Sequence, residues 1–253
     1  MRIFALSDVH VDYAPNLEWV QGLSRFDFAD DVLILAGDVS HKRALLEQTL
    51  SAMTRRFKKV LFVPGNHDLW VQGEEPEMDS LAKFAVVAQT AADCGASMET
   101  VPVGQWLIVP LLGWYDYSFG HPKEELGKAW VDYRACRWPR GFNASEITEH
   151  FMRMNSAPPE DDAHRRITVS HFLPRIDLVP SFVPQRHRML DPVLGSSRLE
   201  DQLRRIKPEI HVYGHSHINR SVSLDGVRYV NNAFGYPQES RITAKNLLCI
   251  EEV

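Results

Sequence analysis

The stretch KPEIHVYGHSHINRS (Lys207–Ser221) combines a short apolar run with two histidines that flank a serine. The run from Ile210 to Tyr213 predicts a buried strand, and His215 and His217 follow it directly. In an extended backbone, residues two apart point to the same side, so both imidazoles would project together from the strand end. Two imidazoles that project together indicate a common function, and metal binding is one candidate.

Four other apolar runs end in the same way, in side chains that can bind a metal ion. They are IFALSDVH, DVLILAGD, KVLFVPGNHD and RITVSH, which deliver Asp8 and His10, Asp38, Asn66 to Asp68, and His171. Short apolar runs bounded by turn residues are typical of strands covered on both faces in an α/β protein. Sites in open α/β sheets assemble outside the carboxyl ends of strands, so we expect these five ends to converge. Taken singly, each residue could instead be an ordinary turn, core or surface residue.

The segments between the strands have the periodicity of helices. Apolar residues at helical spacing predict helices near residues 16–25, 42–57, 80–93 and 197–206. Asn143 and Glu146 are spaced as in a capping box and predict a further helix near Ser145–Met154. After His217, the segments RSVSL, DG and VRYVNN predict a hairpin, followed by a last strand near Asn246–Ile250. A chain of 253 residues can form one sizeable core, so we predict a single domain over residues 1–253.

The composition excludes several classes of protein. With 44% hydrophobic and 24% charged residues, and no apolar run near the roughly 18 residues of a spanning helix, it is typical of a soluble globular protein. The N-terminal MRIFALSDVH places polar residues too early for a secretory signal, so we expect a cytoplasmic protein that begins here. A net charge of −5 argues against a surface that attracts nucleic acid. The widely spaced Cys94, Cys136 and Cys249 indicate neither a disulfide framework nor a zinc knuckle.

The candidate ligands combine oxygen and imidazole donors without thiolate. They are two aspartates, one asparagine and four histidines: Asp8, Asp38, Asn66, His10, His171, His215 and His217. Such a mixture suits divalent or trivalent first-row metals such as Mn, Fe, Zn or Co. Seven ligands are too many for one ion and suit two ions that share a bridging carboxylate. In that arrangement His215 and His217 would each serve a different metal.

The blocks DVH, GDV, GNHD, SH and GHSH occur in this order between Asp8 and His217. They resemble the five signature blocks of the calcineurin-like metallophosphoesterase superfamily, and five blocks that each follow an apolar run are far more specific than any one of them. The resemblance implies a four-layer αββα sandwich, an α/β fold in which two mixed β-sheets are flanked by helices. It also implies a metal-dependent phosphoester hydrolase, in which a metal-bound hydroxide of a dinuclear centre attacks phosphorus.

The resemblance also implies roles for individual residues. In this assignment Asp8, His10 and His217 would hold the first metal. Asn66, His171 and His215 would hold the second, and the carboxylate of Asp38 would bridge the two. His67 would lie beside the substrate, where it would stabilise the transferring phosphoryl group or protonate the leaving oxygen. Asn66 would have a second catalytic role, donating its amide to a phosphate oxygen.

The second block departs from one branch of the superfamily. Phosphoprotein phosphatases extend it as GDxxDRG, whereas this chain reads GDVSHKR, with His41 in place of the second aspartate. This weakens a Ser/Thr protein phosphatase but does not choose among the other substrates, of which we favour phosphodiesters or small nucleotides over phosphomonoesters. A lipid-linked pyrophosphate or a diadenosine-type polyphosphate stays open as a substrate. The alternatives are a nuclease, disfavoured because no clear basic stripe is present, and a non-catalytic scaffold of the same fold, which would hold no metal.

Substrate recognition is less sharply indicated. An aromatic-rich insertion at about residues 114–160 contains Trp114, Tyr115, Tyr117, Phe119, Trp130, Tyr133, Trp138 and Phe142. These rings could cover the metal site as a stacking surface or an apolar slot, or they could form a small core of their own. Arg175, and Arg241 together with Tyr236, are candidates to grip the non-reacting part of a small phosphoester substrate, because guanidinium binds phosphate oxygens in pairs.

Overall fold

The computed structural model, which describes residues 1–158 and 163–253, contains ten strands in two mixed sheets. The strands are β1 (Arg2–Leu6), β2 (Val32–Leu35), β3 (Lys59–Phe62), β4 (Val101–Val103), β5 (Trp106–Pro110), β6 (Arg165–Val169), β7 (Ile210–Tyr213), β8 (Arg220–Leu224), β9 (Val227–Asn231) and β10 (Leu248–Glu252). The helices are α1 (Ala14–Gly22), α2 (Arg43–Thr54), α3 (Ser80–Asp93), α4 (Glu124–Ala129), α5 (Asp132–Ala135), α6 (Ala144–Met154) and α7 (Ser197–Ile206). Short 3₁₀ helices cover His67–Leu69, Ile176–Leu178 and Gln185–Val193.

Both sheets have parallel centres. The first sheet has the order β10-β1-β2-β3, in which β1, β2 and β3 are parallel and β10 is antiparallel. The second has the order β4-β5-β6-β7-β9-β8, in which β4 and β8 are antiparallel edge strands. Its inner strands β5, β6, β7 and β9 are all parallel. Parallel strands end at the same edge of a sheet, so the loops after β1, β2 and β3, and those after β6 and β7, carry the candidate ligands at two shared edges.

The apolar side chains of the strands alternate between two environments. On one face, Ile3, Ala5 and Ile34 of the first sheet pack against Ile108, Ile167 and Val212 of the second sheet. On the outer faces, residues such as Leu33 pack against α1, α2 and α3, and residues such as Val109 pack against α6 and α7. This alternation produces four layers in the order helix, sheet, sheet, helix, and it confirms the predicted αββα sandwich.

The predicted helices are present, with shifted ends in two cases. The helices α3 and α7 have the predicted bounds, whereas α1 and α2 end three residues earlier than predicted. Pro15 in the first turn of α1 suits its early start, because a proline there loses no hydrogen bond. The predicted capping box of α6 is formed, with the Asn143 side chain accepting the N–H of Glu146 and the Glu146 carboxylate accepting the N–H of Asn143.

The predicted hairpin is formed by β8 and β9, whose turn residues Asp225 and Gly226 both have positive φ, as a type I′ turn requires. The last strand begins two residues later than predicted. A second hairpin, formed by β4 and β5, was not predicted. Its signal was present as Gly104 and Gln105 between two apolar runs, the pattern of a two-residue turn. Within residues 1–158 and 163–253, no helix is long and apolar enough to cross a membrane.

The layer between the sheets gives a stability prediction. Ile34 is fully buried there, so Ile34→Ala should lower the free energy of unfolding by about 2–5 kcal/mol through lost burial and the cavity left behind. Phe26→Ala is the control, because Phe26 is 86% exposed and its loss should change little. Thermal unfolding followed by circular dichroism measures both, and equal melting temperatures would contradict this placement of Ile34.

Candidate metal centre

The loops that follow the strands continue the pairing of the sheets. The N–H of Asp8 donates to the carbonyl of Gly37 (2.9 Å), and the N–H of His10 donates to the carbonyl of Asp38 (3.0 Å). In the second sheet, the N–H of Gly214 donates to the carbonyl of His171 (2.9 Å). These bonds hold the ligand-bearing loops in register beyond the ends of their strands, so the ligands are placed by the backbone as well as by packing.

Most of the ligands lie in left-handed backbone. In the described parts of the chain, eight residues other than glycine have positive φ, and five of them are Asp8, His10, Asp38, His215 and His217. Such a conformation costs about 1–3 kcal/mol for each residue and persists where the surrounding structure requires it. The extended backbone expected for His215 and His217 is therefore wrong. Left-handed turns on both sides of Ser216 send the two imidazoles to different partners.

At two glycines of the sequence blocks, neighbouring atoms lie too close to the backbone for any larger residue to fit. A side chain at Gly65 would begin 2.2 Å from Asp38 Oδ1 and 2.7 Å from His171 Cε1. A side chain at Gly214 would begin 2.7 Å from the carbonyl oxygen of Ala36. Neighbouring backbone and ligands occupy that space, so the residues before Asn66 and His215 have room for no Cβ.

The ligand atoms form two groups that share Asp38. The first group is Asp8, His10, Asp38 and His217, and the second is Asp38, His171 and His215, with the atoms of each group within 4.8 Å of one another. The Oδ2 atom of Asp38 lies 3.9 Å from His10 Nε2, whereas its Oδ1 atom lies 3.5 Å from His171 Nε2. Asp38 therefore turns one oxygen toward each group, as a bridging carboxylate must.

The remaining distances place Asn66 in the second group. His10 Nε2 lies 3.0 Å from His217 Nε2 in the first group, and His171 Nε2 lies 3.1 Å from His215 Nδ1 in the second. The Oδ1 atom of Asn66 lies 3.1 Å from the same His171 nitrogen. The structure thus brings together all seven residues that the sequence analysis selected as ligands.

Oxygen atoms outside the two groups orient three of the histidine rings. The pairs are His217 Nδ1 with Glu239 Oε2 (2.7 Å), His171 Nδ1 with the carbonyl of Ala36 (2.9 Å), and His215 Nε2 with the carbonyl of Val193 (3.0 Å). A carbonyl or carboxylate oxygen accepts, so the nitrogen facing it carries the proton. The opposite nitrogen of each ring is then left to face the ligand group, as metal-binding histidines require.

The buried negative charge of the centre would be stabilised by bound cations. Asp8 and Asp38 are buried, and none of the described lysines or arginines forms an ion pair with either. Burial and the neighbouring carboxylates of Asp8 and Asp68 raise the pKa of Asp38 well above its usual range. Burial lowers the pKa of His215 to about 3, which leaves the neutral imidazole that binds metal. The donor set therefore fits metal ions.

A proton on His217 can also balance part of the negative charge of the buried carboxylates. Burial opposes a charge on the ring, yet the carboxylates of Asp8 and Glu239 raise the pKa of His217 to about 10. One ring nitrogen faces Glu239, and Nε2 lies 3.4 Å from Asp8 Oδ1. A metal ion in the first group would replace the proton on Nε2 and keep the bond to Glu239.

Three acidic residues support the centre, and the sequence analysis gave none of them a role. The carboxylate of Asp68 accepts the backbone N–H groups of Gly65, Asp38, Val39 and Ser40 at 2.8–3.0 Å, which shapes the loop that carries Asp38. Asp68 had a signal, because it directly follows the GNH residues. Glu239 and Asp132 had none, since each reaches the centre from a loop or insertion distant in sequence.

His67 lies beside the ligands and belongs to neither group. Its backbone N–H donates to Asp38 Oδ1 (2.9 Å), and its Nε2 lies 3.8 Å from Asp38 Oδ2. The imidazole stacks on the indole of Trp70, with 3.6 Å between ring centroids and 28° between planes. Burial lowers the pKa of His67 well below its usual range, so the ring is neutral in this environment.

A cavity of about 620 Å³ opens on the centre. Its polar lining includes residues of the centre and others beside it: Asp38, Asn66, His67, His215 and His217, with Asp132, His187, Asp191, Ser216, Tyr236 and Glu239. Its apolar wall is larger and consists of Trp130, Val131, Val179, Phe182, Val183, Leu190, Leu194, Ile218 and Ile242. The centre thus faces a space of the size that holds a small organic ligand.

The predicted aromatic insertion contributes both to the core and to this cavity. Trp114 and Tyr115 are buried in the core on the helix side of the second sheet, which they share with the strands. Trp130 lines the cavity and meets the ring of His215 edge-on at 5.7 Å. Residues 159 and 160 of the predicted insertion lie outside the described residues.

The three predicted substrate residues have different surroundings. Tyr236 lines the cavity, with its ring 4.6 Å from that of His10. Arg175 lies apart from the cavity, where it forms ion pairs with Asp177, Asp225 and Glu200. Arg241 is exposed and does not line the cavity, although its neighbour Ile242 does.

Comparison with known proteins agrees with this geometry. The sequence profile of the calcineurin-like phosphoesterases matches residues 1–219. The acyl-carrier-protein phosphodiesterase PptH of Mycobacterium tuberculosis is 30% identical over 263 aligned positions, which cover 94% of this chain and 79% of that protein. The crystal structure of the phosphopantetheinyl hydrolase PptH from the same organism superposes with a TM-score of 0.76 at 26% identity, over 95% of this chain and 91% of that chain.

The bridging position of Asp38 predicts the effect of Asp38→Asn. An amide has one oxygen and no charge, so one ligand group loses its oxygen donor and both lose a negative charge, and metal affinity should fall by more than the about 10–100-fold that a lost outer hydrogen bond costs. Elemental analysis of the purified variant should show less bound metal than the wild type. Asp30→Asn, at an exposed carboxylate, is the control, and an unchanged metal content in Asp38→Asn would contradict the bridge.

The contact between Glu239 and His217 gives a second prediction. Glu239→Gln keeps the size of the side chain but removes its charge, so His217 becomes a weaker ligand and the affinity of the first group should fall by about 10-fold. Metal titration followed by calorimetry measures this affinity. Glu18→Gln, at an exposed position on α1, serves as the control. Equal affinities in the two variants would show that Glu239 does not tune the ligand.

Proposed function

The chain belongs to the calcineurin-like phosphoesterase family, and we propose that it hydrolyses phosphodiesters with two first-row metal ions held in the groups that share Asp38. It is a metallophosphoesterase, a hydrolase of a family that uses divalent metals. The presence of all seven expected ligand residues supports an enzyme over a non-catalytic scaffold. When bound, the metal ions would neutralise phosphate oxygens and activate water for attack on phosphorus.

The residues of the chain would divide the remaining work. Asp38 would hold the two ions at a fixed separation, and its Oδ1 atom also accepts the N–H of His67. That bond ties the backbone of His67 to Asp38, and the His67 imidazole lines the cavity beside the two ligand groups. From there the neutral ring could donate a hydrogen bond to the phosphoryl group, and it could protonate the leaving oxygen only if the bound phosphate raises its pKa.

The preference for a diester is supported by the charge of the cavity. None of the described residues that line it is a lysine or an arginine. A phosphomonoester carries nearly two negative charges at neutral pH, whereas a diester carries one. With histidines and metal ions as its only cationic groups in the described parts of the chain, the site suits the less charged substrate. This observation carries the proposal.

The apolar wall of the cavity supports a more specific substrate. It lines the same cavity as the ligand groups, so a substituent of the phosphate could contact side chains such as Val179, Val183 and Ile218. The similar protein from M. tuberculosis is named as an acyl-carrier-protein phosphodiesterase and a phosphopantetheinyl hydrolase. We therefore propose, as substrate, the phosphodiester that joins a phosphopantetheinyl group to an acyl-carrier protein, with the phosphopantetheinyl arm along the apolar wall.

The charge argument predicts a substrate preference. After loading with Mn, Fe, Zn or Co, kcat/KM should be higher for bis(p-nitrophenyl) phosphate than for p-nitrophenyl phosphate. A hydrogen bond to a charged group is worth about 1.5–3 kcal/mol, so the missing cationic clamp should favour the diester by about 10–100-fold. Release of the phosphopantetheinyl group from a carrier protein, followed by mass spectrometry, tests the specific substrate. Faster monoester cleavage, or no turnover with any metal, would contradict the proposal.

The position of His67 predicts a separation of metal binding from catalysis. His67→Ala should lower kcat by about 10²–10⁴-fold, the usual contribution of an acid or base group, while leaving the metal content unchanged. Elemental analysis and rate measurements on the same preparation give both values. His121→Ala, at an exposed histidine, is the matched control. Loss of metal in His67→Ala would make His67 a ligand instead.

A further inference from the structure

The carboxylate of Asp132 lies next to the metal centre without being one of its ligands. It is 2% exposed, and its Oδ1 atom accepts hydrogen bonds from Asn66 Nδ2 (2.9 Å) and Trp70 Nε1 (2.6 Å). Its Oδ2 atom is buried and has no hydrogen-bond partner in the described parts of the chain. A carboxylate buried without a cationic side chain destabilises a fold, so its presence here indicates a functional role.

Backbone hydrogen bonds determine where Asp132 lies. The N–H of Val71 donates to the carbonyl of Ala135 (2.8 Å), and the N–H of Ser80 donates to the carbonyl of Arg137 (2.6 Å). These bonds tie α5 and the residues after it to the segment that follows the GNHD block. The carboxylate at the start of α5 is thereby held against Asn66 and Trp70.

The first contact decides which end of the Asn66 amide faces the metal. The amide has an oxygen at one end and an NH₂ group at the other, and only the oxygen can bind a metal ion. A carboxylate accepts hydrogen bonds, so Asp132 takes the NH₂ end. The Oδ1 atom is then turned toward the second ligand group, where it lies 3.1 Å from His171 Nε2.

The second contact fixes the plane of His67. The indole of Trp70 is held through its N–H and stacks on the His67 ring at 3.6 Å. The ring of His10 meets the same imidazole edge-on, at 4.6 Å and 64°. His67 is therefore confined between a stacked indole and a ligand ring, and Asp132 anchors the indole.

We propose that Asp132 is a positioning residue that presents the oxygen of Asn66 to the second metal and, through Trp70, sets the plane of His67. Neither role needs Oδ2, because the hydrogen bonds from Asn66 and Trp70 both go to Oδ1. The inference rests on the proposed two-metal site and assigns to the insertion a part in assembling it. Asp132 acts through two other side chains and touches no reacting atom.

The test compares Asp132→Leu with Asp132→Asn. Leucine has a similar size but no acceptor, so one metal should bind about 10–100-fold more weakly and kcat for bis(p-nitrophenyl) phosphate should fall with it. Asparagine keeps an acceptor oxygen at the Oδ1 position, so it should restore metal content and kcat to nearly the wild-type values. Metal content is measured by elemental analysis after dialysis against a weak chelator, and the melting temperature of each metal-free variant is measured beside it.

Trp70→Phe separates the two contacts. Phenylalanine can stack on His67 but cannot donate to Asp132, so kcat should fall while both metals stay bound. The exchanged pair Asn66→Asp with Asp132→Asn reverses donor and acceptor and should also retain both metals. If Asp132→Leu does not fold, the exchanged pair keeps the first contact testable and Trp70→Phe keeps the second contact testable.

Several outcomes would overturn the inference. One is wild-type metal content and kcat in Asp132→Leu, and another is an equal loss of metal and kcat in Asp132→Asn and Asp132→Leu. Loss of bound metal in Trp70→Phe or in the exchanged pair would also overturn it. A wild type that binds two metals but cleaves no phosphodiester would refute the proposed function alone, because the metal content of the variants would still decide the role of Asp132.

Discussion

The buried carboxylate of Asp38 is the constraint around which the centre is built. It turns one oxygen toward each ligand group, and it shares its surroundings with the buried carboxylates of Asp8 and Asp68. Asp68 is satisfied by four backbone N–H groups, but Asp8 and Asp38 are buried with no lysine or arginine among their described ion-pair partners, so bound cations would stabilise them. The four ligand imidazoles, three of them oriented from behind by an oxygen atom, lie where those cations would be held.

This concentration of charge explains why the loops depart from ordinary backbone geometry. Left-handed residues at Asp8, His10 and Asp38 bend each loop sharply after its strand, and Gly65 lets a neighbouring loop approach without a side chain between them. The strain is held by hydrogen bonds between the loops and by the four N–H groups that Asp68 accepts. Beneath the loops, the apolar layer between the two sheets supplies the stability that such strain requires.

The cavity relates this charge to a substrate. The candidate metal centre forms much of its polar lining, and the rest of the lining is mostly apolar, with no lysine or arginine among the described residues. Recognition would then depend on the metals for the phosphate and on apolar contact for the substituent. Arg175, which the sequence suggested as a phosphate-gripping residue, instead forms ion pairs with three carboxylates away from the cavity.

The sandwich and the set of candidate ligands could be predicted from sequence alone, because both depend on local patterns. Each ligand directly follows an apolar strand, and the parallel strands of each sheet must end at a common edge. Only the tertiary structure showed the left-handed turns that separate His215 from His217, and the contacts of Glu239 and Asp132 with the centre. Asp132 lies 66 residues from Asn66 in the chain, so their contact depends on how the insertion packs and leaves no periodic trace in the sequence. The candidate ligands follow their strands directly in the sequence, whereas the residues that orient them come from distant segments that tertiary packing brings to the centre.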